Sequence, residues 1–273
     1  MIIHWMKGMQ KGMAYVMLGR SERLEDLFIA GELDVAQIKC DPNALKESKR
    51  LATIFDLAEK ERTKERLNCW KISYLNVRSM KTASGHAEDV AKDNFIMDSD
   101  MFGLGETWLE QDQRRNFDEY SGYFANFGNG KGVAGYSKLE TVSQPEIFRS
   151  ESYSAIMFKT AQFHIMFLYL SQNYNKEDIA IILETLIEAD VPTAVIGDIN
   201  ENLNKLSKST KFEKMMKEKG FNQLIKESTF ETGSTIDHIY VNPAMASKQV
   251  FTHADAAYYS DHDIISLCIP KSQ

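Results

Sequence analysis

The sequence predicts a mixed α/β or α+β domain of about two layers of sheet, and three observations carry that expectation. From Cys69 onward, short apolar runs alternate with polar turns. Two segments of helical period, 176–189 and 210–219, interrupt the strand-like runs, and strands outnumber helices toward the C-terminus. Of the 273 residues, 43% are hydrophobic, 11% aromatic and 26% charged, the composition of a packed chain and not of a disordered one. At about 150 residues per domain, this length allows one large domain or two unequal ones.

Residues 43–67, NALKESKRLATIFDLAEKERTKERL, contain neither Gly nor Pro and set Leu45, Leu51, Ile54, Leu57 and Leu67 among dense opposite charges. This reads as a long, mostly solvated helix, with Asp41 or Asn43 as its cap and Pro42 near its first turn. The expected organisation is therefore an N-terminal segment 1–42, a helical connector 43–68 and a main domain 69–273. Within that domain WKISYLNVRS (70–79) alternates as a strand, and DSDMFGLGETWL (98–109) reads as a second strand ending in a Gly-Glu turn. A third, buried strand is QFHIMFLYL (162–170). The helix at 176–189 places Ile179, Ile182, Leu183, Leu186 and Ile187 on one face. A strand at 191–196 runs into Gly197-Asp198-Ile199-Asn200, and the amphipathic helix 210–219 stops at Gly220. Strands at 236–241 and 264–269 complete the domain.

Net charge is −7, unevenly spread: residues 1–68 hold 12 basic and 11 acidic side chains, leaving 20 and 28, a net of −8, in the remaining 205. Such a domain has no global field to attract a polyanion, so any nucleic acid must be held by local Lys/Arg patches and bound cations. No apolar run approaches the roughly 20 residues of a membrane helix. The N-terminal Met-Ile-Ile-His-Trp is followed by Lys7 and Lys11, so no signal peptide is expected. Cys40, Cys69 and Cys268 are odd in number, scattered and without a C-x-x-C, which excludes a disulfide scaffold or zinc knuckle and suits a reducing compartment. An intracellular protein, nuclear and not secreted, is the expectation.

Five polar clusters share one placement, at or just beyond the end of an apolar strand. They are Asn76 in LNVRS, Glu106 in GETWL, Asp198 and Asn200 in GDIN, Asp237-His238 in TIDHIYV, and Asp261-His262 in SDHD. Strand ends let side chains from distant parts of a sheet meet in one cleft. Asn, Glu and Asp offer the oxygen ligands of a hard divalent cation, and a His beside a carboxylate is a tunable acid, base or charge stabiliser. The set suits metal-assisted phosphoester hydrolysis. Singly, each has an ordinary alternative as a turn former, cap or solvated loop residue. His4, His86, His164, His238 and His253 receive no role.

Order and local sequence together are more specific. LNVRS, GETWL, the Gly-rich turn and strand GNGKGVAGY (128–136), a strand ending in Tyr169, then GDIN, IDHIYV and YYSDHD resemble the endonuclease/exonuclease/phosphatase (DNase-I-like) superfamily over roughly residues 70–270. Within it the chain looks most like the endonucleases of LINE retrotransposons and other mobile elements, which share LNVRS and ETWL. The resemblance implies a four-layer αββα sandwich with a divalent metal, Mg²⁺ with Mn²⁺ able to substitute, at the top of two packed sheets. It implies DNA as the partner. Carried over by motif, Glu106 matches the principal metal carboxylate, Asn76 lies close to the metal, and Asp261 adds to the metal side. Asp198 matches the residue that aligns or deprotonates water, with Asn200 holding the water and phosphate. His262 matches the histidine on the scissile phosphate, and Asp237 the carboxylate that orients it. Tyr169 falls where relatives place a Tyr or His facing the phosphate or leaving group. DNA-repair members read Tyr-x-Pro-Asn there; this chain reads Tyr169-Leu170-Ser171-Gln172-Asn173, so Gln172 or Asn173 fills the Asn role. Arg78 stands where repair enzymes carry an acidic residue and mobile-element enzymes an Arg.

The segment from Lys11 to Leu45 resembles the C-terminal end of helicases of the Pif and Helitron type. Tyr15 to Arg20 match a Y-V-x-L-S/G-R segment, whose arginine position is Arg20, and Cys40-Asp41-Pro42 match the close of that domain. The chain has no G-x-x-x-x-G-K-[ST], so no ATP site is expected. A helicase remnant fused to an endonuclease implies an open reading frame derived from a Helitron-like element. Two other classes fit parts of the pattern: a phosphatase or phosphodiesterase acting on lipid or inositol phosphates, and an inactive transposon-derived DNA-binding module.

Overall fold

The computed structural model describes residues 2–4, 28–30, 68–127, 131–175, 177, 179–180, 183–184, 190–204 and 210–271. The chain divides into two compact units, Met1–Glu65 and Arg66–Gln273. In the first, β1 (Ile2–His4) and β2 (Phe28–Ala30) pair in parallel. Apart from these strands and Asn68, the helicase-like segment and the connector helix lie outside the described residues.

The second unit runs β3 (Cys69–Asn76), α1 (His86–Lys92), α2 (Asn94–Met97), β4 (Met101–Gly105), β5 (Ser121–Ala125), β6 (Val133–Ser137), β7 (Glu146–Arg149), β8 (Tyr153–Lys159), β9 (His164–Leu170) and β10 (Thr193–Asp198). It continues with α3 (Lys211–Glu218), β11 (Asn222–Gln223), β12 (Asp237–Val241), α4 (Pro243–Ala246), β13 (Phe251–Ala256) and β14 (Asp263–Pro270). One six-stranded sheet has the order β13-β14-β3-β4-β6-β5, the other β11-β12-β10-β9-β8-β7. Each holds a single parallel pair, β3 with β4 and β9 with β10, among antiparallel neighbours.

The period-two alternation of the strands sorts their side chains into three apolar layers. Ile72 and Tyr74 of β3, Ile165 and Phe167 of β9, Ala194 and Ile196 of β10, and Ile265 and Leu267 of β14 fill the space between the sheets. Their alternates on the first sheet, with Leu75, Phe102 and Tyr136, pack under Val90 of α1 and Ile96 of α2. Those on the second, with Met166, Leu168 and Val195, pack under Ile179, Leu183, and Phe212 and Met216 of α3. The result is a four-layer αββα sandwich. Phe102, Phe117, Tyr120 and Tyr136 add edge-to-face and stacked contacts to the first outer layer.

Helix α3 follows the expected signals: the Thr210 hydroxyl caps it by accepting from the Glu213 amide, and Gly220 at φ +79° ends it. The described positions of 176–189 are helical, with Ile179 and Leu183 buried. Several boundaries move, among them the 70–79 strand, which ends at Asn76, and two others bear on the site. The 98–109 strand is only Met101–Gly105, because residues 98–100 turn out of α2. Strand β10 runs two residues further than expected, so Asp198 ends the strand and does not sit in the turn.

Candidate active site

The strands and the loop ahead of β14 bring the predicted residues to one end of the sandwich. Asp198 is the last residue of β10; across the ladder it faces Tyr169 of β9 on one side and Asp237 of β12 on the other. From the opposite sheet Asn76, the last residue of β3, donates through Nδ2 to Asp198 Oδ2 at 2.8 Å. The Asn200 amide donates to Asp198 Oδ1 at 2.9 Å, and Asn200 Nδ2 to the Leu170 carbonyl at 2.7 Å. His262 Nδ1 pairs with Asp237 Oδ2 at 2.9 Å, which leaves Nε2 for a ligand. Ser260, whose hydroxyl donates to the Asn76 carbonyl and accepts from the His262 amide, ties the SDHD loop to the end of β3.

Glycines flank both carboxylates for steric reasons. A Cβ on Gly105, just before Glu106, would lie 2.1 Å from the Tyr74 hydroxyl oxygen, and one on Gly197 would lie 1.7 Å from the Leu168 carbonyl. Glu106 itself has φ +49°, and Arg78 and Asn200 both have φ +56°, a left-handed conformation that is costly for these residue types and clusters at functional sites. Tyr169 donates to Glu106 Oε1 across 3.4 Å. Arg78 Nη1 meets Asp261 Oδ2 at 2.6 Å, while Asp261 Oδ1 lies 4.0 Å from His262 Nε2.

Burial and like charge shape the protonation. Burial, then the Asp237 carboxylate opposite, push the Asp198 carboxyl up to about 8. Burial pushes the His262 imidazole down, but Asp237, with help from Asp198 and Asp261, more than offsets it and lifts it to about 9. Burial and the Glu106 and Asp198 charges raise the Tyr169 hydroxyl, keeping it protonated.

Asp198, Asp237 and His262 each offer a ligand atom, all within 4.8 Å of one another. Among the described residues, the buried Oδ1 atoms of Asp237 and Asp261 have no hydrogen-bond partner. Unsatisfied carboxylate oxygens facing such a cluster fit a hard divalent cation. Asn76 spends both side-chain polar atoms inside the protein, Nδ2 on Asp198 and Oδ1 on the Arg78 amide at 3.0 Å. Its Oδ1 keeps a second lone pair, so these bonds brace Asn76 beside the cluster without removing it from the expected metal surroundings.

Gln172 and Asn173 line a polar groove of about 680 Å³ beyond β9, together with Lys131, Ser152, Ser171 and Asn175. His238 turns away from the site: its ring nitrogens meet the Thr235 carbonyl and the Tyr240 hydroxyl, a structural use. Sequence reasoning missed Thr229, whose buried hydroxyl accepts from the Ile236 and Asp237 amides at 3.1 and 3.0 Å and so fixes the start of β12. Nothing in its local sequence, Glu-Ser-Thr-Phe, signals that task.

The fold is shared with solved structures of low sequence identity. An AP endonuclease from Archaeoglobus fulgidus is 19% identical, covers 73% of this chain and 99% of its own, and superposes with a TM-score of 0.57. The endonuclease domain of TRAS1, a telomere-specific non-LTR retrotransposon, is 14% identical, covers 75% and 100%, and gives 0.55. NExo from Neisseria, a 3′ phosphatase bound to product DNA hairpin, is 15% identical, covers 72% and 98%, and gives 0.55. No curated protein matches the chain. Residues 67–262 match the Endonuclease/Exonuclease/phosphatase family, and the chain therefore belongs to that family of nuclease- and phosphatase-type phosphodiester hydrolases.

Proposed function

We propose that the chain is a divalent-metal-dependent DNA endonuclease of mobile-element origin that nicks a strand to leave 3′-hydroxyl and 5′-phosphate ends. The observation that carries this reading is the meeting of Asn76, Glu106, Tyr169, Asp198, Asn200, Asp237 and His262 at one end of both sheets, with LNVRS and GETWL supplying two of them. Glu106 and Asp261 would hold Mg²⁺ or Mn²⁺, with the unpartnered oxygens nearby completing its surroundings. When bound, the cation neutralises charge on the phosphodiester. Asp198, held by Asn76 and the Asn200 amide, orients the attacking water in line and takes its proton. His262, a cation steadied by Asp237, donates through Nε2 to the phosphoryl oxygens as charge grows on them. The protonated Tyr169 hydroxyl faces the leaving 3′-oxygen.

Supercoiled-plasmid nicking tests the reading. Nicked circles with polymerase-extendable ends are expected with Mg²⁺ and none with EDTA; no nicking at any Mg²⁺ or Mn²⁺ concentration overturns it. The net −8 of residues 69–273 favours a second reading, a phosphatase or phosphodiesterase on lipid or inositol phosphates. Hydrolysis of soluble phosphoinositides without plasmid nicking would select it.

Residues 1–42 are read as a helicase-derived remnant without an ATP site, in a protein of the nucleus, on the strength of the Tyr15–Arg20 and Cys40-Asp41-Pro42 matches. Arg20→Ala is then expected to leave nicking within about twofold of the unaltered protein. A large loss with folding intact would make this segment part of the catalytic unit.

A further inference from the structure

We infer that Lys81, Arg114 and Arg115 form a second anion site, which holds a backbone phosphate of the DNA flanking the bond to be cut; this rests on the endonuclease reading above. The loops that leave β3 and β4 start at Asn76 and Glu106 and are pinned together, Val77 N to the Gly105 carbonyl at 3.0 Å and Met80 N to the Thr107 carbonyl at 2.8 Å. Between them opens a pocket of about 440 Å³ lined by Lys81, Thr82, Leu109, Gln113, Arg114 and Arg115. Three cations therefore share one concavity although residues 69–273 carry a net charge of −8.

The arginines are preorganised. Arg115 Nε donates to the Met80 carbonyl at 3.1 Å and its Nη2 to the Thr82 hydroxyl. The Arg114 guanidinium lies 5.1 Å from the Phe124 ring centre, and Nη1 donates to the Gln111 and Gln113 carbonyls at 2.9 and 2.8 Å. Among the described residues, Nε and Nη2 of Arg114 and Nη1 of Arg115 have no acceptor, and their donors are open to a ligand. Lys81 meets Glu110 at 3.6 Å, with both side chains well exposed, a loose pair that a phosphate can displace. A guanidinium fork with neighbouring amide and hydroxyl groups is the donor chemistry of phosphate recognition.

Position supports a polynucleotide. Leu109 is three residues past Glu106, so its Cα lies within about 10 Å of that of Glu106. A strand advances about 3.4 Å per nucleotide along the helix axis, which sets this edge of the pocket no more than about three nucleotides from the cut. DNA seated in the catalytic cleft continues past the cut bond and so can occupy both places at once. The groove beyond β9 is a poorer candidate, because its single cation, Lys131, donates to the Glu151 carbonyl.

The test is the full chain carrying Lys81→Glu with Arg114→Glu. Duplex binding in EDTA, between 50 and 200 mM salt, is expected to weaken about tenfold or more, with the log–log salt slope shallower by about 1 to 2. KM for plasmid should rise, and hydrolysis of bis(4-nitrophenyl) phosphate should stay within about twofold, since that ester reaches only the catalytic centre. Unchanged affinity and slope, in a protein whose unaltered form nicks plasmid, overturn the second site alone. If the unaltered form nicks no plasmid, the endonuclease reading falls first and this inference falls with it. Should the reversed pair fail to fold, Lys81→Gln with Arg114→Gln is held to the same slope criterion.

Discussion

The two sheets hand their parallel strands to the site in different ways. On the second sheet, β9 carries Tyr169 next to its last residue and β10 ends in Asp198; both are buried and in ladder register, and Asp198 in turn faces Asp237 on β12. On the first sheet, β3 ends in a buried Asn76, but β4 passes its charge to Glu106, one residue beyond the strand and partly exposed. Among the described residues, three in the left-handed region, Arg78, Glu106 and Trp108, follow those two strands, and Asn200 follows β10 on the other side. The difference separates two physical jobs. A ladder holds the groups that must not move as charge develops, and strained loops present those that meet a cation or a long substrate.

The largest effects are expected from the ladder residue Asp198 and from His262, which the loop ahead of β14 holds against Asp237 on its ladder. Asp198→Ala and His262→Ala are each expected to cut turnover by about 10²–10³, roughly 3–4 kcal/mol, with circular dichroism and DNA affinity little changed. Because both act on one transition state, the double variant should lose less than the product of the single losses. Either single variant keeping more than about a tenth of the original turnover places that residue outside the site.

Glu106→Gln probes the loop side. Removing one anionic ligand should raise the Mg²⁺ needed for half-maximal nicking by about tenfold, while DNA binding in EDTA is unaffected. An unchanged Mg²⁺ dependence would take Glu106 out of the metal site. Asp237→Asn should be milder than loss of His262, about tenfold in turnover, since it removes the partner that steadies the imidazole and not the imidazole itself.

The smallest effect on chemistry should come from Thr229→Val. Two amide donors lose their acceptor, so thermal or urea unfolding is expected to show a loss of about 1–3 kcal/mol, with turnover falling only a few-fold in the folded protein. A stable variant with abolished turnover would instead make Thr229 part of the reaction.

What the sequence disclosed follows from the same division. Strands β3, β9, β10, β12 and β14 are central and carry long apolar runs or clear alternation, so they are visible without tertiary information. Edge strands β7 and β13 expose much of their surface, and EIFR and FTHADA look like ordinary polar chain. Helices α1 and α2 are too short, with one buried residue each, to show a period. At the site, the identities of Asn76, Asp198, Asp237 and His262 were readable from their motifs. The Asp237–His262 pairing follows from the family resemblance, but the Arg78–Asp261 ion pair and the Ser260 bracket join residues more than 180 positions apart, which no local pattern encodes.

That separation has a consequence for when the protein can act. Asn76 meets Asp198 across 122 positions and Ser260 reaches the Asn76 carbonyl across 184, so no contiguous stretch of chain holds a working centre. Pairings of such high contact order close late in folding. During synthesis, therefore, the emerging chain is chemically silent until its last strand, β14, zips against its first-sheet neighbour β3. The hydrolytic centre is therefore assembled only once β14 has paired with β3.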